Sequence, residues 1–245
     1  MGDLTYYILS LLAVLIILSI HEFAHGYAAY KLGDNTAKNF GRLTLNPLKH
    51  LDFFGALCMI FFHFGWAKPV PINARNFKNP KRDFAIVALA GPLSNLIMAF
   101  ISAFIYLLMF PLLNKVHHLD NTFLFSIVQN TLDFLRIFHS INVGLAIFNL
   151  IPIPPLDGSR ILNVVLPTKV YFGIMKYERI IYFVLIGWLL LGGYVADALL
   201  SIPTVSANPI LSGLANVFAL SDLLSMAFSK ISNLMFSFWK LFPFL

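Results

Sequence analysis

The chain has a single cysteine, Cys58. No internal disulfide can form, and no multi-cysteine zinc module can be built. Charge is also scarce. Only 11% of the 245 residues are Asp, Glu, Lys or Arg, where a soluble domain carries about a quarter. Together with 59% hydrophobic residues and a mean hydropathy of +0.80, that shortage excludes an ordinary water-soluble globule. The sequence also lacks a fixed-period repeat, a low-complexity linker and the basic n-region that opens a cleavable signal peptide. Acidic residues are outnumbered by basic ones, 11 against 17, for a net charge of +6. The basic residues lie in loops between apolar segments, which argues for a membrane protein and against a nucleic-acid binder. The expected fold class is an all-α polytopic membrane protein of about four to five transmembrane helices, with a small membrane-associated β-hairpin or re-entrant element. A core over 1–200 is followed by an apolar segment, 201–245, that fits either an extra span or interfacial helices.

One polar cluster stands out in this apolar background. His21-Glu22-Phe23-Ala24-His25 follows an uncharged run from Tyr6 to Ile20 and precedes Gly26-Tyr27-Ala28-Ala29-Tyr30. Ionisable groups are costly in a bilayer, so such a cluster is a candidate functional site. On a helix, residues four apart share a face, so His21 and His25 can hold one metal ion. Glu22 lies beside them and can act on water. The five-residue pattern alone is weak, because two histidines can also be satisfied by backbone or water inside a bundle. A third ligand elsewhere in the chain is the discriminating feature.

Residues 4–30 are expected to form the first span, roughly 40 Å at ~1.5 Å per residue. Turn chemistry at Gly33-Asp34-Asn35 ends it. Between 31 and 83 stand Lys31, Lys38, Arg42, Lys49, Lys68, Arg75, Lys78, Lys81 and Arg82 against only Asp34, Asp52 and Asp83. That asymmetry puts the loop in the cytoplasm, the N-terminus outside and the His-Glu cluster towards the cytoplasmic side. Within the loop, Phe53 to Phe64 is apolar but too short to span, which fits a re-entrant or buried segment. Trp66-Ala67-Lys68-Pro69-Val70-Pro71-Ile72 reads as an extended edge or hairpin arm. Such an edge can hold an unfolded substrate by strand addition, with Trp66 in contact, or can be a plain structural hairpin.

The second span is expected over 84–112. It contains Gly91-Pro92-Leu93-Ser94-Asn95, where small residues permit close helix approach and Pro92 kinks the helix. Asn95 is a polar group at membrane depth that serves either this packing kink or a wall of the site. The third span ends near Leu150 and carries Asn142 and Asn149, seven apart and on one face. Pro152, Pro154 and Pro155 then stop the helix, and Asp157-Gly158 follows in a turn. Taken alone, Asp157 reads as an ordinary surface turn. Beside an incomplete two-histidine site it becomes the natural third ligand. Arg160, Lys169, Lys176 and Arg179 make the next loop cytoplasmic, which brings Asp157 to the same membrane side as His21 and His25. A fourth span is expected over 180–200.

These residues resemble the site-2 protease family of intramembrane zinc metalloproteases. The matching elements are His21-Glu22-x-x-His25 and Asn149-x-x-Pro152-x-Pro154-x-x-Asp157-Gly158. Gly91-Pro92-x-x-Asn95 and the Trp66 to Pro71 stretch are similar to the family's central region. The resemblance covers roughly residues 5–165 and points to the small prokaryotic branch, without a PDZ or CBS domain. It implies a helical core with one Zn²⁺ per chain, recessed from the cytoplasmic face of the cell membrane and held by His21, His25 and Asp157. It implies Glu22 as general base, Asn149 as the group orienting substrate or oxyanion, and Asn142 in support. The implied partners are the lipid bilayer and transmembrane protein substrates. The rival reading is a membrane metal-binding or transport protein without hydrolase activity, which has no need of Glu22. Iron or cobalt fits the same ligands as zinc.

Overall fold

The computed structural model describes residues 3–52, 55, 67–117, 121–208 and 220–242. Three long helices form its centre. The apolar first segment, with its uncharged run from Tyr6 to Ile20, gives α1, Asp3–Lys31. The second span forms α4, Pro80–His117, which is longer than the apolar run 84–112 predicts. It starts earlier because Asp83 Oδ2 accepts from the Asn79 N–H at 3.0 Å and caps the entry. It continues through Lys115 because Val116 packs with Val128 and Leu132 of the next helix. That helix is α5, Thr122–Asn149, capped by Asn121, whose side chain accepts from the Leu124 N–H at 3.0 Å.

By length and composition, Leu4–Lys31, Pro80–His117 and Thr122–Asn149 can each cross a membrane. Large apolar side chains face outward along them, including Ile8, Leu12, Leu93, Ile97 and Leu108. In water such a surface is a liability; against acyl chains it is ordinary solvent contact. The expected fourth segment forms α8, Glu178–Leu200. It is not among those three, and the full span count expected from the sequence is not established.

Small residues let the three central helices approach. Ala13 and Ile17 of α1 pack on Ile137 and Phe138 of α5, while Ala29 of α1 packs on Val87 of α4 and on Phe77. Between α1 and α4 run two short helices, α2 (Thr36–Asn39) and α3 (Pro47–His50), and a 3₁₀ turn at Ala74–Asn76. The expected hairpin is not established. Among the described residues the pairing is limited to one antiparallel bridge, Leu51 with Ala67. Pro69 and Pro71 have no N–H to give a ladder. Neighbouring donors go elsewhere: Lys68 N–H to the His50 carbonyl at 2.8 Å and Asn73 N–H to Asp34 Oδ2 at 2.7 Å. The expected re-entrant stretch, Phe53 to Phe64, lies almost wholly outside the described residues.

After α5 the chain turns through its prolines into α6 (Asp157–Val165), α7 (Thr168–Met175), α8 and the short α9 (Pro203–Ser206). The C-terminal segment supplies α10, Leu220–Trp239. It docks on α4 and α5. Trp239 Nε1–H donates to the Phe100 carbonyl at 2.9 Å, and its ring meets Phe100 and Phe104. Buried His139 bridges the Ala99 carbonyl (Nδ1, 3.0 Å) and the Ser232 hydroxyl (Nε2, 2.8 Å).

Candidate active site

His21 and His25 lie one turn apart on α1, and both are buried. Their rings meet edge to face, with centroids 4.6 Å apart. The Nε2 atoms are 3.0 Å from each other, and each is 3.2 Å from Asp157 Oδ2. Thus three ligand atoms from two distant stretches of chain converge on one point. Among the described residues this is the group of His, Cys, Asp and Glu side chains arranged to hold a metal ion.

Two backbone features aim these atoms. His25 Nδ1–H donates to the Val87 carbonyl of α4 at 2.7 Å. A carbonyl can only accept, so Nδ1 carries the proton and Nε2 keeps its lone pair for a ligand. Gly91, one turn further along α4, lies against both imidazoles. A Cβ there would sit 2.6 Å from His21 Cε1 and closer still to His25 Nε2. Only glycine allows α4 this approach.

Asp157 arrives by a tight return of the chain. Leu150 ends α5, and Ile153 and Leu156 donate N–H bonds to the Ile151 and Ile153 carbonyls at 2.8 and 3.0 Å. A Cβ at Gly158 would lie 2.5 Å from the Ile151 carbonyl oxygen, so this turn too closes on a glycine. Asp157 opens α6, where a negative charge meets the positive end of the helix dipole. Arg160, one turn on, lies 5.1 Å from the Phe84 ring centroid and holds α6 against the start of α4.

Two imidazole nitrogens and a carboxylate, with lone pairs converging on one buried point, fit a divalent cation of zinc's chemistry. Asp157 Oδ2 has no hydrogen-bond donor of its own there, which suits a cation and not a donor network.

Glu22 is half-buried, and its Oε2 accepts from the Val70 N–H at 2.7 Å. Asn149 is the last residue of α5, half-buried, eight residues before Asp157. Asn142 is fully buried and donates its amide to the Phe138 carbonyl at 2.9 Å, with Oδ1 unmatched. Asn95, one turn beyond Gly91, is also fully buried, with both amide atoms unmatched. Trp66 lies outside the described residues. The Val87 carbonyl and the Val70 N–H are site features that side-chain reasoning misses, because backbone groups carry no sequence signal.

Residues 9–192 match the family described as Peptidase family M50. YwhC of Bacillus subtilis (strain 168), named provisionally as a zinc metalloprotease, is 45% identical over 176 residues, covering 69% of this chain and 77% of the relative. Rip2 of Mycolicibacterium smegmatis, named in the same way, is 31% identical over 156 residues, covering 62% of this chain and 55% of the relative. Rip2 of Mycobacterium tuberculosis (strain H37Rv) is 28% identical over 155 residues, covering 61% and 54%. The chain spans about half the length of the Rip2 proteins. No solved structure matches. On the extent of the family match and the identity to YwhC, the chain belongs to peptidase family M50.

Proposed function

We propose that this protein is an intramembrane zinc metalloendopeptidase that hydrolyses peptide bonds in or near transmembrane segments of membrane-protein substrates. The observation that carries this reading is the convergence of His21 Nε2, His25 Nε2 and Asp157 Oδ2 at 3.0 to 3.2 Å, with Glu22 next to His21 on the same helix. The proposed ligands of one zinc ion per chain are His21, His25 and Asp157. When bound, zinc would supply Lewis acidity that polarises a substrate carbonyl and makes water easier to deprotonate near neutral pH.

Glu22 is the proposed general base. One carboxylate oxygen is engaged by Val70, and the other takes the proton of the attacking water and returns it to the leaving amine. Asn149, at the mouth of the Pro152–Asp157 turn, is the proposed donor to the developing oxyanion. A substrate helix has its backbone groups internally bonded and must unwind before cleavage. Asn95, with both amide atoms unmatched, and Asn142, with its Oδ1 unmatched, are proposed to meet the freed backbone groups, and Trp66 is a further proposed substrate contact. The basic loop supports an N-terminus outside the cell membrane and a site open to the cytoplasmic side. The test is Glu22→Gln, with cleavage and zinc content read on the same preparation.

A further inference from the structure

A strap of chain crosses α1 at Glu22. Its centre is Pro69-Val70-Pro71. The two prolines have no N–H and hold φ near one value, and each also keeps the residue before it extended. Val70 is therefore the sole backbone donor of the triplet, and its N–H goes to Glu22 Oε2 at 2.7 Å. Among the described residues no second donor meets this carboxylate.

The contact is held in place from several sides. Gly26 lies four residues after Glu22 on the same face of α1. A Cβ at Gly26 would come within 3.2 Å of Val70 Cγ1, so the buried Val70 side chain rests on that glycine while its N–H reaches Glu22. On one side of Val70, the Lys68 carbonyl accepts from buried Arg42 Nη2 at 2.6 Å, and the Lys68 N–H donates to His50. On the other side, the Asn73 N–H is taken by fully buried Asp34. A floating loop needs none of these anchors. Together they fix one backbone N–H against one carboxylate oxygen.

We infer that Val70 is a positioning residue for the proposed hydrolysis, acting through its backbone N–H to fix the Glu22 carboxylate so that one oxygen is held and the other faces water. The inference rests on Glu22 being the general base. An N–H donating to a carboxylate is a charge-assisted bond and is stronger than a neutral one. It orients the base as a partner behind a metal ligand orients that ligand. A proline at 70 would end the arrangement, and any residue that keeps the N–H and a comparable side chain would preserve it.

The test has two arms on the full chain. The first reads the bond without activity. Amide hydrogen exchange is measured for the protein in lipid nanodiscs, with and without Glu22→Ala. The Val70 amide exchanges faster in the variant, while the Lys68 and Asn73 amides keep their wild-type rates. Unchanged exchange at Val70 means the bond does not form, and the inference falls. The second arm replaces the Val70 amide by an ester, using the α-hydroxy analogue of valine. The same replacement at exposed Leu45, with the α-hydroxy analogue of leucine, is the control. The probe is an internally quenched peptide carrying one transmembrane segment. At position 70 kcat falls about 10- to 100-fold with KM within about twofold and zinc content unchanged. At position 45 activity stays at wild type. A position-70 ester with wild-type kcat, or with a loss confined to KM, overturns the inference. If Glu22→Gln itself keeps full cleavage, the general-base reading fails instead, and the two failures are distinguishable.

Discussion

Gly91 of α4 lies so close to the imidazole of His25 that no side chain fits between them. The same glycine faces His21. Close approach of α4 thus sets the floor on which the two histidines rest, and the Val87 carbonyl one turn earlier holds His25 by its other nitrogen.

Gly91→Ala is therefore expected to displace both rings. Overpacking of this kind costs about 1–3 kcal/mol. Its larger effect is on the site: bound zinc, measured by atomic absorption on purified protein, falls at least about tenfold, as when a ligand's support is lost. Gly144→Ala is the matched control, since a Cβ at Gly144 meets nothing within 4 Å. That variant retains its zinc.

Asp34 ties the end of α1 to the far end of the strap. Its carboxylate accepts from Thr36, from the Asn73 N–H and from Asn76 Nδ2, the last two at 2.7 Å. Burial raises its pKa, but these hydrogen bonds outweigh it and hold the carboxyl below its ordinary value of 3.8. A carboxylate with a depressed folded pKa contributes stability that is complete above the unfolded value and is lost as pH falls through the folded one. Asp34→Asn thus lowers the thermal unfolding midpoint at pH 7. The gap from wild type stays constant down to about pH 5 and closes below the ordinary carboxylate pKa. Thermal unfolding followed in detergent across that range checks the sign.

Ser232→Ala leaves His139 Nε2 without its hydroxyl partner inside the α4–α5–α10 contact. An unsatisfied buried group costs about 1–3 kcal/mol. The expected outcome is a lower thermal unfolding midpoint in detergent, with zinc content unaffected, because His139 belongs to the helix contact and not to the proposed ligand set.

A reporter fused at position 75 tests the orientation. Arg75 is exposed on the basic loop. A reporter that is active only in the cytoplasm is expected to be active there, with its periplasm- or exterior-active counterpart silent. The opposite pattern places the basic loop outside and reverses the orientation.

The grouping of His21, His25 and Asp157 in the candidate site is legible in the sequence, because it is built from side chains whose types and spacing are themselves the chemistry. His21 and His25 declare a shared helix face, and Asp157 declares itself by lying among prolines where a carboxylate needs a cation. Loop charges supply an expected membrane side without reference to any motif. What stayed hidden is carried by backbone. The Val87 carbonyl and the Val70 N–H are present at every residue type, so no letter marks them. Gly91 could be read as a close-approach position, but not as one that touches both imidazoles. Asp34 read as a turn residue, since its bonds to Asn73 and Asn76 span about 40 positions of chain and no local pattern encodes them. The extension of α4 past Leu112 was masked by Lys115, whose polarity mimics a loop although Val116 still packs inward. The docking of α10 depends on Trp239 and Ser232 finding partners on α4 and α5, again at long range.

The most direct measurement pairs zinc content with cleavage for Glu22→Gln. Glutamine keeps the shape and an oxygen for the Val70 N–H, but it cannot take a proton. Purified in parallel with wild type and assayed on a single-span membrane-protein substrate, the variant is expected to retain its zinc and to lose cleavage by at least about 100-fold, the range of a general-base contribution. Full cleavage by the zinc-loaded variant would contradict the account, because the protein would then hydrolyse peptide bonds without the base on which the proposed reaction depends.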